Sequence, residues 1–236
     1  MNSKISHLLP DYHDGSATWV ASPNSLRSLI GLLGILLPIL LPLVASIGSE
    51  SWVIMPSVSH FYYTFASSFF YIILGTLGVF LITYKGYDKT DFLISLLAGV
   101  SALLLLILPT STLDPEEWER FQHGVIITIP ANELRGILHL VAAAIFLSLL
   151  GHMSLVQFTK TDKAIIQGTP KSHRNTIYKS CGFIIWASIL MMLVFGFWLK
   201  SEWYEYICGT FVFEAIAVWA FGLSWLTKGE MIYGDK

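Results

Sequence analysis

Charge is what this chain has least of. Lys, Arg, Asp and Glu make up 13% of its 236 residues, about half the ~25% of an ordinary soluble domain. With 54% hydrophobic residues, that shortfall excludes a soluble globular fold. The formal net charge of −2 says nothing about partners, and the lack of a basic patch with interleaved aromatics argues against nucleic acid. There are only two cysteines, Cys181 and Cys208. They are expected near opposite faces of a bilayer, roughly 25–30 Å apart. A disulfide needs Cα atoms within about 7 Å, so two free thiols are expected and the redox compartment is left open. No HExxH motif, no closely spaced histidine pair and no nucleophile elbow occur, so no hydrolase motif stands out. The first 25 residues include Asp11, His13 and Asp14 and lack the short apolar core of a signal peptide. The run that follows is too long for one and reads as a retained helix.

What is abundant is long hydrophobic sequence. Six runs, at about 26–48, 62–84, 92–110, 134–157, 180–200 and 207–227, each approach the ~20 residues that cross a hydrocarbon core. Lipid admits only helices or closed barrels, and unbroken runs lack the alternation of barrel strands. The fold class is therefore all-α, a polytopic membrane protein with a six-transmembrane-helix bundle. Residues 1–25 form a cytoplasmic N-terminal segment, 26–228 the membrane domain and 229–236 a cytoplasmic tail. With the N-terminus inside, 11 of the 14 basic residues fall on the cytoplasmic side and only Arg120, Arg135 and Lys200 outside. That asymmetry predicts an N-in, C-in protein of the cell inner membrane.

Trp52, Tyr62, Tyr63, Trp118, Trp203, Tyr204 and Tyr206 read as an outer aromatic belt. Gly31, Gly34, Gly75, Gly78, Gly99 and Ala142 are spaced for close helix approach. Pro38 and Pro42 are expected to kink the first helix. In the long outer loop, Asp114 and Pro115 look like an N-cap and first helical residue, with Gly124 ending that helix. Trp118 and Phe121 would share a face on the membrane surface, and the stretch after Gly124 is too short to span.

One carboxylate, Glu214, interrupts the last apolar run. Such a charge is costly to insert and by default marks a functional site. Glu214 lies ~10 Å and His139 ~8 Å along helices that begin at the outer face. His60 sits at the outer mouth beside Ser59, Tyr62 and Tyr63, and Arg135 is one turn from His139. Two uses of Glu214 compete: interhelical glue, for example paired with Arg135, and a ligand, proton or metal site. His60, His139 and Glu214 together would make a two-histidine, one-carboxylate zinc set, a weak candidate because motif spacing is absent. A triad of Ser59, His139 and Glu214 is weaker still. Asp11-Tyr12-His13-Asp14 reads as a tail rather than a metal cluster, and Arg174-Asn175-Thr176-Ile177-Tyr178-Lys179 as an interfacial turn.

Ser57-Val58-Ser59 through Tyr63, Tyr84-Lys85-Gly86-Tyr87-Asp88, Arg174-Asn175 through Cys181-Gly182, Phe221-Gly222-Leu223-Ser224-Trp225 and Lys228-Gly229-Glu230 resemble segments of a set of uncharacterised bacterial six-helix integral membrane proteins. The resemblance covers most of the chain and implies the fold, but no activity. Those proteins often carry a histidine after the paired tyrosines, where this chain has Thr64. A distant similarity to ceramidase-like membrane hydrolases implies a zinc site within a helical bundle. Their last helix carries an HxxxH pair, where this chain offers Glu214 and no histidine.

The expectation from sequence is a membrane protein with an outward-opening polar cavity that binds a lipid or small amphiphile, or moves protons or solute. The alternatives are a metal-dependent membrane hydrolase acting on lipid, and a structural or accessory subunit. Membrane lipids are the expected partners, with a homo-oligomer or a membrane partner subunit also compatible.

Overall fold

The computed structural model describes residues 22–47, 49, 51–113, 115–161 and 167–234. The expected Asp11–Asp14 tail and the Asp114 cap lie outside the described residues. Among the described residues the protein is all-helical, and its only β feature is an isolated bridge between Thr64 and Val125. Five helices are long and apolar enough to cross a membrane. They are α1 (Pro23–Ala45), α3 (Lys89–Ile107), α5 (Glu133–His152, continued by a π-turn to Gln157), α6 (Pro170–Met191, continued to Trp198) and α8 (Gly209–Lys228). α2 (Ser67–Thr83) is apolar but only 17 residues long. Short α4 (Pro115–Phe121) and α7 (Glu202–Tyr206) complete the set.

The second apolar run, expected to be one helix over 62–84, divides. Val58–Tyr63 forms a 3-10 helix, and α2 begins four residues later. The capping chemistry explains the break. Ser57 Oγ accepts from the His60 N–H at 3.3 Å, while Thr64 Oγ1 donates to the Phe61 carbonyl and accepts from the Ala66 N–H. The run expected to start at 180 instead starts at Pro170. Thr169 accepts from the Ser172 N–H and Pro170 fills the first turn, a Thr-Pro start signal. Residues 174–179 are therefore helix, not an interfacial turn.

Small residues set the helix contacts. A Cβ at Gly31 would lie 2.7 Å from the Gly222 carbonyl, and one at Gly99 would lie 2.5 Å from that of Gly78. These close approaches hold α1 on α8 and α3 on α2. The α2–α3 turn needs Gly86, whose φ is +66° and whose absent side chain leaves room for Asp91. α1 runs unbroken through Pro38 and Pro42. Large apolar side chains such as Leu140, Phe183 and Phe197 are exposed along the outside of the bundle, as lipid contact requires. Trp52, Trp203 and Tyr206 are exposed as a belt needs, but Tyr204 is buried against Gly196 and Gly209, with its hydroxyl 3.0 Å from Thr210. Phe121 is buried too, so it does not share the exposed setting of Trp118. Both cysteines are free.

Candidate functional site

The 3-10 helix Val58–Tyr63 organises one end of the bundle. The Phe211 N–H donates to the Pro56 carbonyl at 2.9 Å, and the Val58 N–H donates to Glu214 Oε2 at 2.7 Å, so α8 grips the start of this segment. Glu214 thus acts as an acceptor for an otherwise orphaned helix-start donor. At the far end of the segment, Tyr63 donates its phenol to the Thr110 carbonyl at 2.7 Å, and its own carbonyl accepts from the Ile126 N–H at 2.9 Å. The stretch after Gly124 therefore packs over the bundle mouth.

The pairing with Arg135, one form of the structural use of Glu214, is not present. α5 and α8 scarcely touch, and Arg135 folds back to donate to the Pro130 carbonyl at 2.8 Å. Its neighbour is Tyr63, whose phenol is pushed up by burial and eased down by the Arg135 charge. His139 is buried and faces α3, with Nδ1 2.5 Å from the Leu108 carbonyl. A carbonyl can only accept, so Nδ1 carries the proton and Nε2 keeps its lone pair. His60 is half-buried rather than a solvated boundary residue, and its Nδ1 lies 2.7 Å from Ser57 Oγ. Burial, and behind it the charge of His139, holds the His60 imidazole down to about 4. The two imidazoles are thus electrostatic neighbours. Ser59 is buried, and Tyr62 packs edge-on against Tyr63 and Tyr71 at 5.1 and 5.5 Å between ring centroids.

The segment carrying His60 bonds α8 at one end and the turn after α3 at the other. Glu214 and His139 therefore join this layer through different elements. Among the described residues no group of three His, Cys, Asp or Glu side chains could hold a metal ion, so His60, His139 and Glu214 do not form the zinc set. At this end Glu214 Oε1, His139 Nε2 and His60 Nε2 make no hydrogen bond among the described residues, and Arg135 Nε is buried without a partner. Beside Tyr63 opens a cavity of about 290 Å³, lined by Leu113, Trp118, Val125, Ile127 and two threonines.

The opposite end holds a second polar layer that has no motif in the sequence. Asp91, 1% exposed, accepts from Lys160 Nζ at 2.5 Å and from the Tyr87 N–H at 3.0 Å, and Lys160 also reaches Asp88 at 2.8 Å. Lys160 holds the Asp88 carboxyl below its ordinary range, and the two carboxylates hold Lys160 above its own. Lys228, the last residue of α8, is 8% exposed and donates to the Tyr87 hydroxyl at 2.7 Å. Phe158 stacks edge-on against Tyr178 and Trp225, and Trp225 against Tyr84. The signal for this layer was the Thr169-Pro170 helix start, which places Arg174 and Asn175 on α6 within the bundle.

No family model matches the chain, and no curated protein or solved structure is detectably similar to it.

Proposed function

We propose that the protein crosses the inner membrane six times with both termini in the cytoplasm, and that its outer end binds a small amphiphile or part of a lipid. The distribution of 11 basic residues against 3 supports the orientation. The sixth crossing is α2, whose 17 residues rise ~26 Å, short of the ~30 Å core by an amount that local thinning of the bilayer accommodates.

The binding reading is carried by one juxtaposition. An apolar cavity of about 290 Å³ lies against Tyr63, and Tyr63 belongs to the same short segment as His60. Ligand sites are mostly apolar with a few convergent polar groups, and ~300 Å³ is at the small end of their range. That size suits one chain of an amphiphile, with its polar head toward the imidazoles. Photocrosslinking in proteoliposomes with a diazirine-bearing fatty acid tests this. Label should concentrate on Trp118 and the 125–129 stretch and fall several-fold in His139→Ala. Label that instead follows lipid-facing side chains such as Phe183 and Phe197 would sink the proposal.

A second reading, proton movement, draws support from two imidazoles and a carboxylate gathered at one end, each with an unused polar atom. It requires pH-driven flux in proteoliposomes that Glu214→Gln abolishes, and flux unchanged in that variant would exclude it.

A further inference from the structure

We propose that the amphiphile bound at the outer end is a single-chain carboxylate, and that Arg135 holds its head at the wall of the cavity beside Tyr63. The inference rests on the amphiphile reading and deepens it.

The cavity of about 290 Å³ is walled by two chain segments, one after α3 and one after Gly124. Thr112 and Leu113 line it from the first, Val125 and residues 127–129 from the second. The start of α5 grips both walls, each time one residue from the cavity. A Cβ at Gly136 would lie 2.5 Å from Ser111 Oγ, so the first turn of α5 rests on the residue before Thr112. On the other wall, Arg135 Nη2 donates to the Pro130 carbonyl at 2.8 Å, and Pro130 follows Ile129. Tyr63 spans the same two segments. Its hydroxyl donates to the Thr110 carbonyl, and its own carbonyl accepts from the Ile126 N–H. Hydrogen bonding to one wall and packing on the other therefore place the guanidinium at the cavity.

That guanidinium is short of partners. Its Nε–H is buried and makes no hydrogen bond, and the Pro130 carbonyl is the one acceptor it reaches among the described residues. Glu117 and Glu119 flank Trp118 at the cavity and Glu133 opens α5, yet none of the three forms an ion pair with Arg135. Arg120, the other cation close to Trp118, is turned toward α7 and donates to the Glu205 and Tyr206 carbonyls. The start of α5 is closed by Asn132 Oδ1, which accepts the Arg135 main-chain N–H. A buried donor on a charged group is costlier to leave unmade than one on a neutral group. Arginine presents its Nε–H beside an Nη N–H, a fork that matches the two oxygens of a carboxylate. Such a head would take the unused Nε–H and supply the missing negative charge together.

The cavity constrains the rest of the ligand. Its lining is apolar apart from Tyr63 and two threonines, and its volume suits one chain, whereas a phospholipid brings two. A neutral head would leave the guanidinium unmatched, and an ammonium head would meet it with like charge.

The test uses the full chain in phosphatidylcholine proteoliposomes at mildly alkaline pH, where the acid is ionised. Three probes share a lauryl chain with a diazirine near its tail and differ only in the head: carboxylate, alcohol or amine. Label on Trp118 and residues 125–129 is divided by label on exposed Phe183, which corrects for partitioning into the bilayer. In the wild type the acid should label the cavity about tenfold more than the alcohol, and the amine least. Arg135→Gln should bring the acid down to the level of the alcohol and leave the alcohol unchanged, which a collapsed cavity would not do. Arg135→Lys keeps the charge without the fork and should recover part of the difference. If Arg135→Gln fails to fold, Arg135→Lys and the head series in the wild type carry the test. Equal labelling by acid and alcohol in the wild type, or a fall of both together in Arg135→Gln, overturns the carboxylate assignment and leaves the amphiphile reading standing. Stronger labelling by a phosphate-headed probe of the same chain overturns it in favour of a phosphate. Cavity label no higher than Phe183 label for every probe sinks the amphiphile reading itself, and this inference with it.

Discussion

At the His60 end, Glu214, His139, Tyr63, Arg120 and Arg135 each bond a main-chain N–H or carbonyl outside their own helix. At the Lys228 end, Lys160, Lys228 and Ser154 bond side chains on other elements, while Ser28, Ser95 and Arg174 donate to main-chain carbonyls and Asp91 also takes a backbone N–H. Both ion pairs among the described residues lie at this end. The difference is one of charge. A side chain bonded to backbone fixes where a loop runs. A charged side chain bonded to its opposite ties two elements through an ion pair. The first end is stapled to backbone, and the second is held in part by paired charge.

The largest expected effect breaks the second half of that comparison. Asp91→Ala would strip the Tyr87 N–H of its acceptor and Lys160 of its buried partner. Hydrogen bonds to charged groups contribute roughly 1.5–3 kcal/mol, so a loss of about 2–3 kcal/mol is expected in denaturation in detergent. A loss within measurement error would mean side-chain pairing does not organise that end.

A smaller effect is a pH dependence at the first end. The His60 imidazole is held from 6.5 down to about 4, mainly by burial. The unfolded chain then takes up its proton first on acidification. The associated stability is complete above pH 6.5 and is lost as pH falls from there through about 4. The expected loss is on the order of 1–3 kcal/mol. His60→Asn should flatten the slope of thermal midpoint against pH in that window, and an unchanged slope would move its origin elsewhere.

The smallest effect separates staple from charge at Glu214. Glu214→Gln keeps an oxygen for the Val58 N–H and should cost less than about 0.5 kcal/mol, whereas Glu214→Leu orphans that donor and should cost about 1–2 kcal/mol. Equal costs in a midpoint comparison would show that the negative charge, not the acceptor, is what the segment needs.

Much of the bundle was legible in the sequence because lipid is a strict solvent. The long runs around α1, α3, α5 and α8 reappear within a few residues of their expected limits, and the spacing of Gly31, Gly78 and Gly99 anticipated close helix contacts. The break between the 3-10 segment and α2 was not legible, because hydropathy is blind to Thr64 turning its hydroxyl onto the Phe61 carbonyl. Glu214 stood out by its charge, but its partner is a backbone N–H, and backbone groups carry no sequence signature. Arg135 was assigned to Glu214 on depth alone, yet depth says nothing about which helices touch. The Lys228 layer escaped notice because each member, taken singly, resembles an ordinary helix-end charge. Only the packing of Phe158 against Trp225 and Tyr178 shows that Gln157 and Asn175 are sealed in with it.

The apolar lengths of α2 and α6 reach beyond the protein itself. Seventeen residues in α2, and about nineteen in α6 once its polar first ten residues are set aside, give apolar lengths of about 26 and 28 Å. Both fall short of a ~30 Å core, so surrounding acyl chains compress beside each of them, at fractions of a kcal/mol per ångström. The annulus of lipid along these flanks is therefore thinned, and a reconstituted bilayer of shorter acyl chains will relieve that load.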